Sequence, residues 1–128
     1  MVRVARVYDE RSDDDGLRVL VDRLWPRGVR KDAGAFDEWL RDVAPSDELR
    51  HWYAHDPSKH EEFLARYLAE LESPERVTAL EKLHERVADG PVTLVTATKE
   101  LTLSHAEVLA GLLDEPGADG KRSSRPPG

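Results

Sequence analysis

The sequence predicts a small α/β domain: a partly parallel sheet of roughly three to four strands covered by about five helices, in a single layered unit. Three observations lead there. Short runs rich in β-branched residues stand at Val2–Tyr8, Leu17–Leu24 and Val92–Ala97. Most of the chain between the second and third is amphipathic at helical spacing. Strands separated in this way by helices favour parallel pairing, because a parallel crossover needs a long connection, usually a helix.

In chain order, Val2–Tyr8 reads as a strand with a partly wet face, since Arg3 and Arg6 interrupt its valines. Asp9–Gly16 is a turn closed by Asp13-Asp14-Asp15-Gly16. Leu17–Leu24 is a second strand, stopped by Trp25-Pro26-Arg27-Gly28, where Pro lacks an amide donor and Gly permits a turn. The spacing of Phe36, Trp39, Leu40 and Val43 predicts a helix over Asp37–Val43. Pro45-Ser46-Asp47-Glu48 opens the next, with Ser46 as cap and Leu49, Trp52 and Tyr53 as its apolar side. Pro57-Ser58 begins a third, whose stripe is Phe63, Leu64, Tyr67, Leu68 and Leu71. Ser73-Pro74-Glu75 begins a fourth, carried by Val77, Leu80, Leu83 and Val87 and ended by Gly90-Pro91. Val92–Ala97 has so little polarity that it reads as a strand covered on both faces. Ser104-His105-Ala106-Glu107 matches a capping box, and Val108, Leu109, Leu112 and Leu113 make the last helix. The domain thus spans 1–113. From Asp114 the chain holds three Pro, three Gly and two Ser with Ala118 as its one apolar residue, and 114–128 is expected to be a disordered tail.

Composition narrows the function classes. At 128 residues the chain is one domain. Its net charge of −7 argues against a general nucleic-acid coat protein, which would be basic. The absence of cysteine excludes disulfides, thiolate catalysis and Cys-ligated zinc or iron–sulfur centres. No apolar run approaches the ~20 residues of a membrane span, and no signal-peptide pattern is read. The expectation is a cytoplasmic protein that does not enter a membrane.

Three segments carry candidate chemistry. Arg18–Lys31 holds five cations (Arg18, Arg23, Arg27, Arg30 and Lys31) against Asp22, an excess that the acidic chain as a whole does not explain. Guanidinium forks beside a Pro-braced turn suit phosphate or carboxylate. The same arginines could equally pair with Asp13, Asp14, Asp15 and the acidic helices. The loop Thr98–His105 runs from a strand's carboxyl end into a helix N-terminus, the edge where open α/β sheets collect ligands. It offers Lys99, Ser104 and His105, although Ser104 as cap and His105 packed in the first turn is the plain alternative. His51 and His55 stand four apart, a metal-capable spacing on one helix face, but Pro57 interrupts the helix and no His-Glu-x-x-His pattern is present. His55-Asp56-Pro57 is read as a structured turn with His55 facing a cleft, and no metal site is expected.

Taken together, several of these stretches resemble a known family. Gly16-Leu17-Arg18-Val19-Leu20-Val21-Asp22-Arg23-Leu24-Trp25-Pro26-Arg27-Gly28 is close to the hallmark of the YeaO-like proteins, a branch of the domain of unknown function 488. Ala44-Pro45-Ser46 with Leu49, Arg50 and Trp52, His55-Asp56-Pro57 with Phe63 and Tyr67, and the late strand leading to Lys99 and His105-Ala106 extend the likeness over roughly Val4–Leu113. The resemblance implies a compact α/β fold and a prokaryotic cytoplasmic protein, and it brings no activity or cofactor. In proteins similar to this one Arg18, Asp22, Arg23, Trp25, Pro26, Arg27 and Gly28 recur as a block. The wider family often carries Cys-His-Arg where this chain has Ser104-His105-Ala106, so a mechanism needing that thiol or that arginine does not operate here.

The reading with most support is a small anion-binding protein for a phosphorylated or nucleotide-like small molecule, with catalysis left open. The Asp22–Gly28 turn and the Thr98–His105 loop would lie together at strand carboxyl ends. Arg18, Arg23, Arg27 and Lys99 would hold the anion with the amides near Ser104, and Trp25 would stack on a ring. His105 would move a proton, with Asp22 orienting Arg23 or His105 or accepting a proton itself. The alternative is a non-catalytic interaction or DNA-associated regulatory protein. DNA is disfavoured by the acidic charge, while a homodimer could use Trp39, Trp52 and Tyr53 as an exposed apolar patch.

Overall fold

The computed structural model describes residues 2–114. Four strands, β1 (Val2–Arg6), β2 (Leu17–Leu20), β3 (Glu38–Trp39) and β4 (Val92–Thr96), form one sheet in the order β1-β4-β2-β3 with every pair parallel. The strand with the least polar sequence is central and buried along its whole length. Val4 and Val19 flank Leu94 from either side, and the pairing continues past β2 where Val21 N donates to Val95 O at 3.2 Å.

Alternation along the strands builds two cores. Val19, Val21, Val92 and Leu94 face a large core completed by helices α1 (Asp47–Tyr53), α2 (His60–Glu70), α3 (Pro74–Asp89) and α4 (His105–Asp114). Phe63, Tyr67, Leu83 and Leu109 are among the most buried of their side chains. Leu20 and Val95 face the other way, against Val7, and that side is closed by Val29, Phe36 and Trp39. Helices therefore cover one face of the sheet, and the irregular chain after β2 covers the other.

The helix expected over Asp37–Val43 is not present. Glu38 and Trp39 form the edge strand β3, followed by a single 3₁₀ turn at Arg41–Val43. The open edge of β2 decides this. Asp37 N donates to Arg18 O at 2.8 Å, Leu40 N donates to Leu20 O at 3.0 Å, and the Asp37 carboxylate accepts from Arg18 N at 2.9 Å. Among the described residues there are four α-helices where about five were expected. Ser46 caps α1 as read, its hydroxyl accepting from Leu49 N at 3.1 Å. The expected tail lies outside the described residues, save for Asp114, which ends α4 and accepts from Val2 N at 3.1 Å. Gly16 is required where it stands: its φ is +64°, and a Cβ there would meet Pro91 O at 2.2 Å, where β2 and β4 begin side by side.

Arg18, expected among the ligand-binding residues, is instead part of the frame. Its side chain is 1% exposed and bonds Asp15 Oδ2 at 2.9 Å, Ala35 O at 2.7 Å, and the carbonyls of Val7 and Asp9. Asp15 also accepts from Ser12 N, and that bond, with Arg18 beside it, holds its carboxyl below the usual range despite burial. The guanidinium thus pins the connections on either side of β2, at Val7, Asp9 and Asp15 before it and at Ala35 after it. Arg18→Ala should cost about 3–5 kcal/mol in chemical denaturation, because it leaves the Asp15 carboxylate enclosed without its partner. A loss under ~0.5 kcal/mol, typical of a surface change, would contradict this assignment.

Candidate functional site

A cleft of about 370 Å³ opens at the carboxyl edge of β2 and β4. Its floor is built by the chain leaving β2. Asp22 has both carboxylate oxygens engaged, Oδ1 by Thr96 Oγ1 at 2.6 Å and Oδ2 by Ala97 N at 2.8 Å. The Trp39 indole donates to the Asp22 carbonyl at 2.7 Å, so the loop that follows is fixed to β3 as well. Farther along, Tyr8 Oη donates to Arg27 O at 2.9 Å and Trp25 Nε1 to Val29 O at 2.7 Å. Trp25 also packs edge-on against Phe36 and Trp39. Its ring is held on one side and remains 37% exposed on the other, beside Tyr8 and Leu24.

The opposite wall comes from α1 and the turn behind it. Arg50 and His51 are in its last turn, and Tyr53 is buried where it donates to Leu103 O at 2.9 Å. Since that single proton goes to a carbonyl, His60 Nδ1, 2.9 Å away, is the donor to the Tyr53 oxygen. Ala54 and His55 then both adopt left-handed backbone, φ +47° and +55°, which is costly for residues with a Cβ. The result is that His55 lies edge-on to the Tyr53 ring and lines the cleft. His51 and His55 therefore do not share a helix face, and no group of three or more His, Cys, Asp or Glu is placed for a metal among the described residues.

His105 closes the back of the cleft from the first position of α4. Its Nε2 lies 2.9 Å from Val21 O and 3.4 Å from Asp22 Oδ1. A carbonyl only accepts, so Nε2 carries the proton and Nδ1 the lone pair of the neutral ring. Burial pushes the His105 pKa below its ordinary value. Asp22 and the Val21 carbonyl oppose the shift, while His55 and Arg50 reinforce it.

The structure thus gathers Asp22, Arg23, Trp25, Arg27, His55 and His105 in one cleft. It leaves out Arg18, Lys99 and Ser104. Lys99 is exposed away from the lining. Ser104 is fully buried, its hydroxyl donating to Leu101 O at 2.7 Å and accepting from Glu107 N at 3.3 Å, so it caps α4 and has no proton to offer a ligand. Asp22 accepts one hydrogen bond on each carboxylate oxygen, which fixes its orientation at the floor of the cleft. Arg50 and Tyr8 were missed from sequence, because only the fold brings them to this edge. The expected exposed patch of Trp39, Trp52 and Tyr53 is corrected too: Tyr53 is 2% exposed, Trp39 packs into the smaller core, and Trp52 is half-buried between Lys59 and Arg66. The large apolar side chains most exposed at this end are Leu24, Tyr8 and Trp25, on the lip of the cleft.

A parallel α/β sheet with a cleft at its carboxyl edge defines the class. The chain belongs to the YeaO-like branch of the domain of unknown function 488 family: the model described as the inactive DUF488-N3 subclade matches residues 1–127. Uncharacterized protein Rv3073c of Mycobacterium tuberculosis is 52% identical over 113 residues, 88% of this chain and 93% of that protein. Uncharacterized protein YeaO of Escherichia coli is 40% identical over 112 residues, 88% of this chain and 96% of that protein. No solved structure matches the chain.

The buried imidazole makes stability pH-dependent. The folded pKa lies below the unfolded value near 6.5, so the unfolded chain takes up the proton first as pH falls. Stability should be full above that value and decline as the pH falls below it, and His105→Gln should flatten that limb in urea melts. Identical pH profiles for the two proteins would contradict a neutral, buried His105.

Proposed function

We propose that this cleft binds a small phosphorylated or nucleotide-like molecule and does not transform it. The observation that carries the reading is the charge of the lining. Arg23, Arg27 and Arg50 face a space in which, among the described residues, Asp22 is the one carboxylate of the lining, on a chain whose net charge is −7. Three guanidinium groups in a concave site suit an oxyanion, and the partly exposed Trp25 face suits a planar ring beside it. Binding is favoured over turnover because three of the candidate reactive groups are already engaged, which leaves His51 and His55 as ring donors or acceptors for a bound molecule in this reading. Ser104 is engaged in capping, each Asp22 oxygen accepts a hydrogen bond from Thr96 or Ala97, and the His105 Nε2 proton goes to Val21 O. The description of the family branch as inactive agrees with that reading.

A thermal-shift screen of the whole chain against inorganic phosphate, adenosine monophosphate and short oligonucleotides tests it. At 100 times its dissociation constant a ligand stabilises by about 2.7 kcal/mol. The nucleotide should raise the melting temperature of wild type and not of the Arg23→Ala/Arg27→Ala variant, and ³¹P spectra should show it intact after incubation. A shift retained in the variant, or a shift confined to oligonucleotides, would overturn the small-molecule reading.

A further inference from the structure

Arg50 stands in the cleft wall with its fork half used. An arginine meets an oxyanion most strongly side-on, with Nε–H and the adjacent Nη2–H on separate oxygens. Here Nη2 donates to Asp47 Oδ1 at 2.6 Å, while Nε is enclosed and has no acceptor. Among the described side chains it is the one buried polar atom left without a partner. Buried donors are seldom left so, because the desolvation is not recovered.

Asp47 serves a second arginine as well. The same Oδ1 lies 3.8 Å from Arg23 Nε, so one carboxylate oxygen sits between two guanidinium groups of the cleft. Asp47 itself is outside the lining, its side chain 60% exposed in the first turn of α1. Its hydrogen bond from Arg50 holds its carboxyl below the usual carboxylate range. An exposed ion pair of this kind is weak and readily exchanged.

We propose that Arg50 and Arg23 form the oxyanion seat of the cleft, occupied at rest by Asp47, and that a phosphate monoester displaces the Asp47 carboxylate and completes the Arg50 fork through Nε and Nη2. This rests on the cleft being an anion site and names the seat within it. A phosphate is favoured over a carboxylate because it carries more charge and offers Arg23 a third oxygen of its own, where a carboxylate has to share an oxygen between the two arginines as Asp47 does. A monoester is favoured over inorganic phosphate because Trp25, Tyr8 and Leu24 offer apolar surface that only an organic group would cover.

Calorimetric titration with phenyl phosphate is the test, run on wild type, Asp47→Asn, Glu48→Gln and Arg50→Lys. Ser46 caps α1, so Asp47→Asn leaves the helix start intact, and melting curves check that each variant is folded. Asp47→Asn should tighten binding by about twofold to fivefold, the range that release of an exposed ion pair allows. Glu48→Gln, the same charge change one residue on, should do less. Arg50→Lys keeps the charge but loses the fork and should weaken binding by about tenfold. Benzoate and inorganic phosphate should both bind wild type more weakly than phenyl phosphate does. Equal effects of Asp47→Asn and Glu48→Gln, an Arg50→Lys affinity like wild type, or benzoate binding as tightly would overturn the proposal while the cleft stayed an anion site. No binding of phenyl phosphate or inorganic phosphate to any of the four proteins would overturn the anion reading itself.

Discussion

The carboxyl edge of this molecule depends on how one carboxylate is satisfied. Asp22 follows β2 at the point where the chain leaves the sheet, and its two oxygens accept from Thr96 Oγ1 and Ala97 N at the end of β4. Its carbonyl takes the Trp39 indole of β3, and the carbonyl before it takes His105 Nε2 of α4. Two strands and a helix N-terminus are thereby tied to two consecutive residues at the end of β2. The Asp22 charge is met by hydrogen bonds from neutral donors, with His105 Nε2 3.4 Å away. Burying it elsewhere would be costly, but here it fixes the course of Arg23–Arg27 across the mouth of the cleft.

The distribution of the arginines follows from that frame. Arg18 lies within β2 and is enclosed, so its charge is matched by Asp15 and three backbone carbonyls are drawn to it. Arg23 and Arg27 come after the strand and reach open space. Arg50 arrives from the last turn of α1, which Ser46 and the left-handed Ala54–His55 pair set at its two ends. A chain with an acidic surface thus holds a cationic hollow. That contrast is what a small anion would respond to, since a local field in a concave, low-dielectric setting is stronger than the net charge suggests.

Much of the fold was legible because its signals are contiguous. The run Val92–Thr96, buried on both faces, is an interior strand, and Ser46 and Ser104 cap helices as their positions imply. The hallmark from Gly16 to Gly28 marked the strand and loop that line the cleft. Phe36, Trp39, Leu40 and Val43 misled because helical spacing also arises when an edge strand of two residues is too short to show a period of two. The site was half legible for a related reason. Sequence shows a cluster of arginines but not which one a strand turns inward, so Arg18 looked like its neighbours. It also cannot show that Tyr8 and Arg50, far from the cluster in sequence, come to the same edge. Lys99 and Ser104 were drawn in by proximity to His105 along the chain, yet a 3₁₀ turn at Leu101–Leu103 and the capping of α4 separate them from the cleft.

The central claim, that a small anion is held where β2 and β4 end, is tested most directly by following ¹H–¹⁵N spectra, including arginine Nε–H and tryptophan indole signals, during titration with adenosine monophosphate. The account predicts saturable shifts at Arg23, Trp25, Arg27 and Arg50, with Arg18 and Lys99 unmoved. Shifts centred on Lys99 and the Thr98–Ser104 loop, or a saturating nucleotide that leaves Arg23 and Arg50 unchanged, would contradict it.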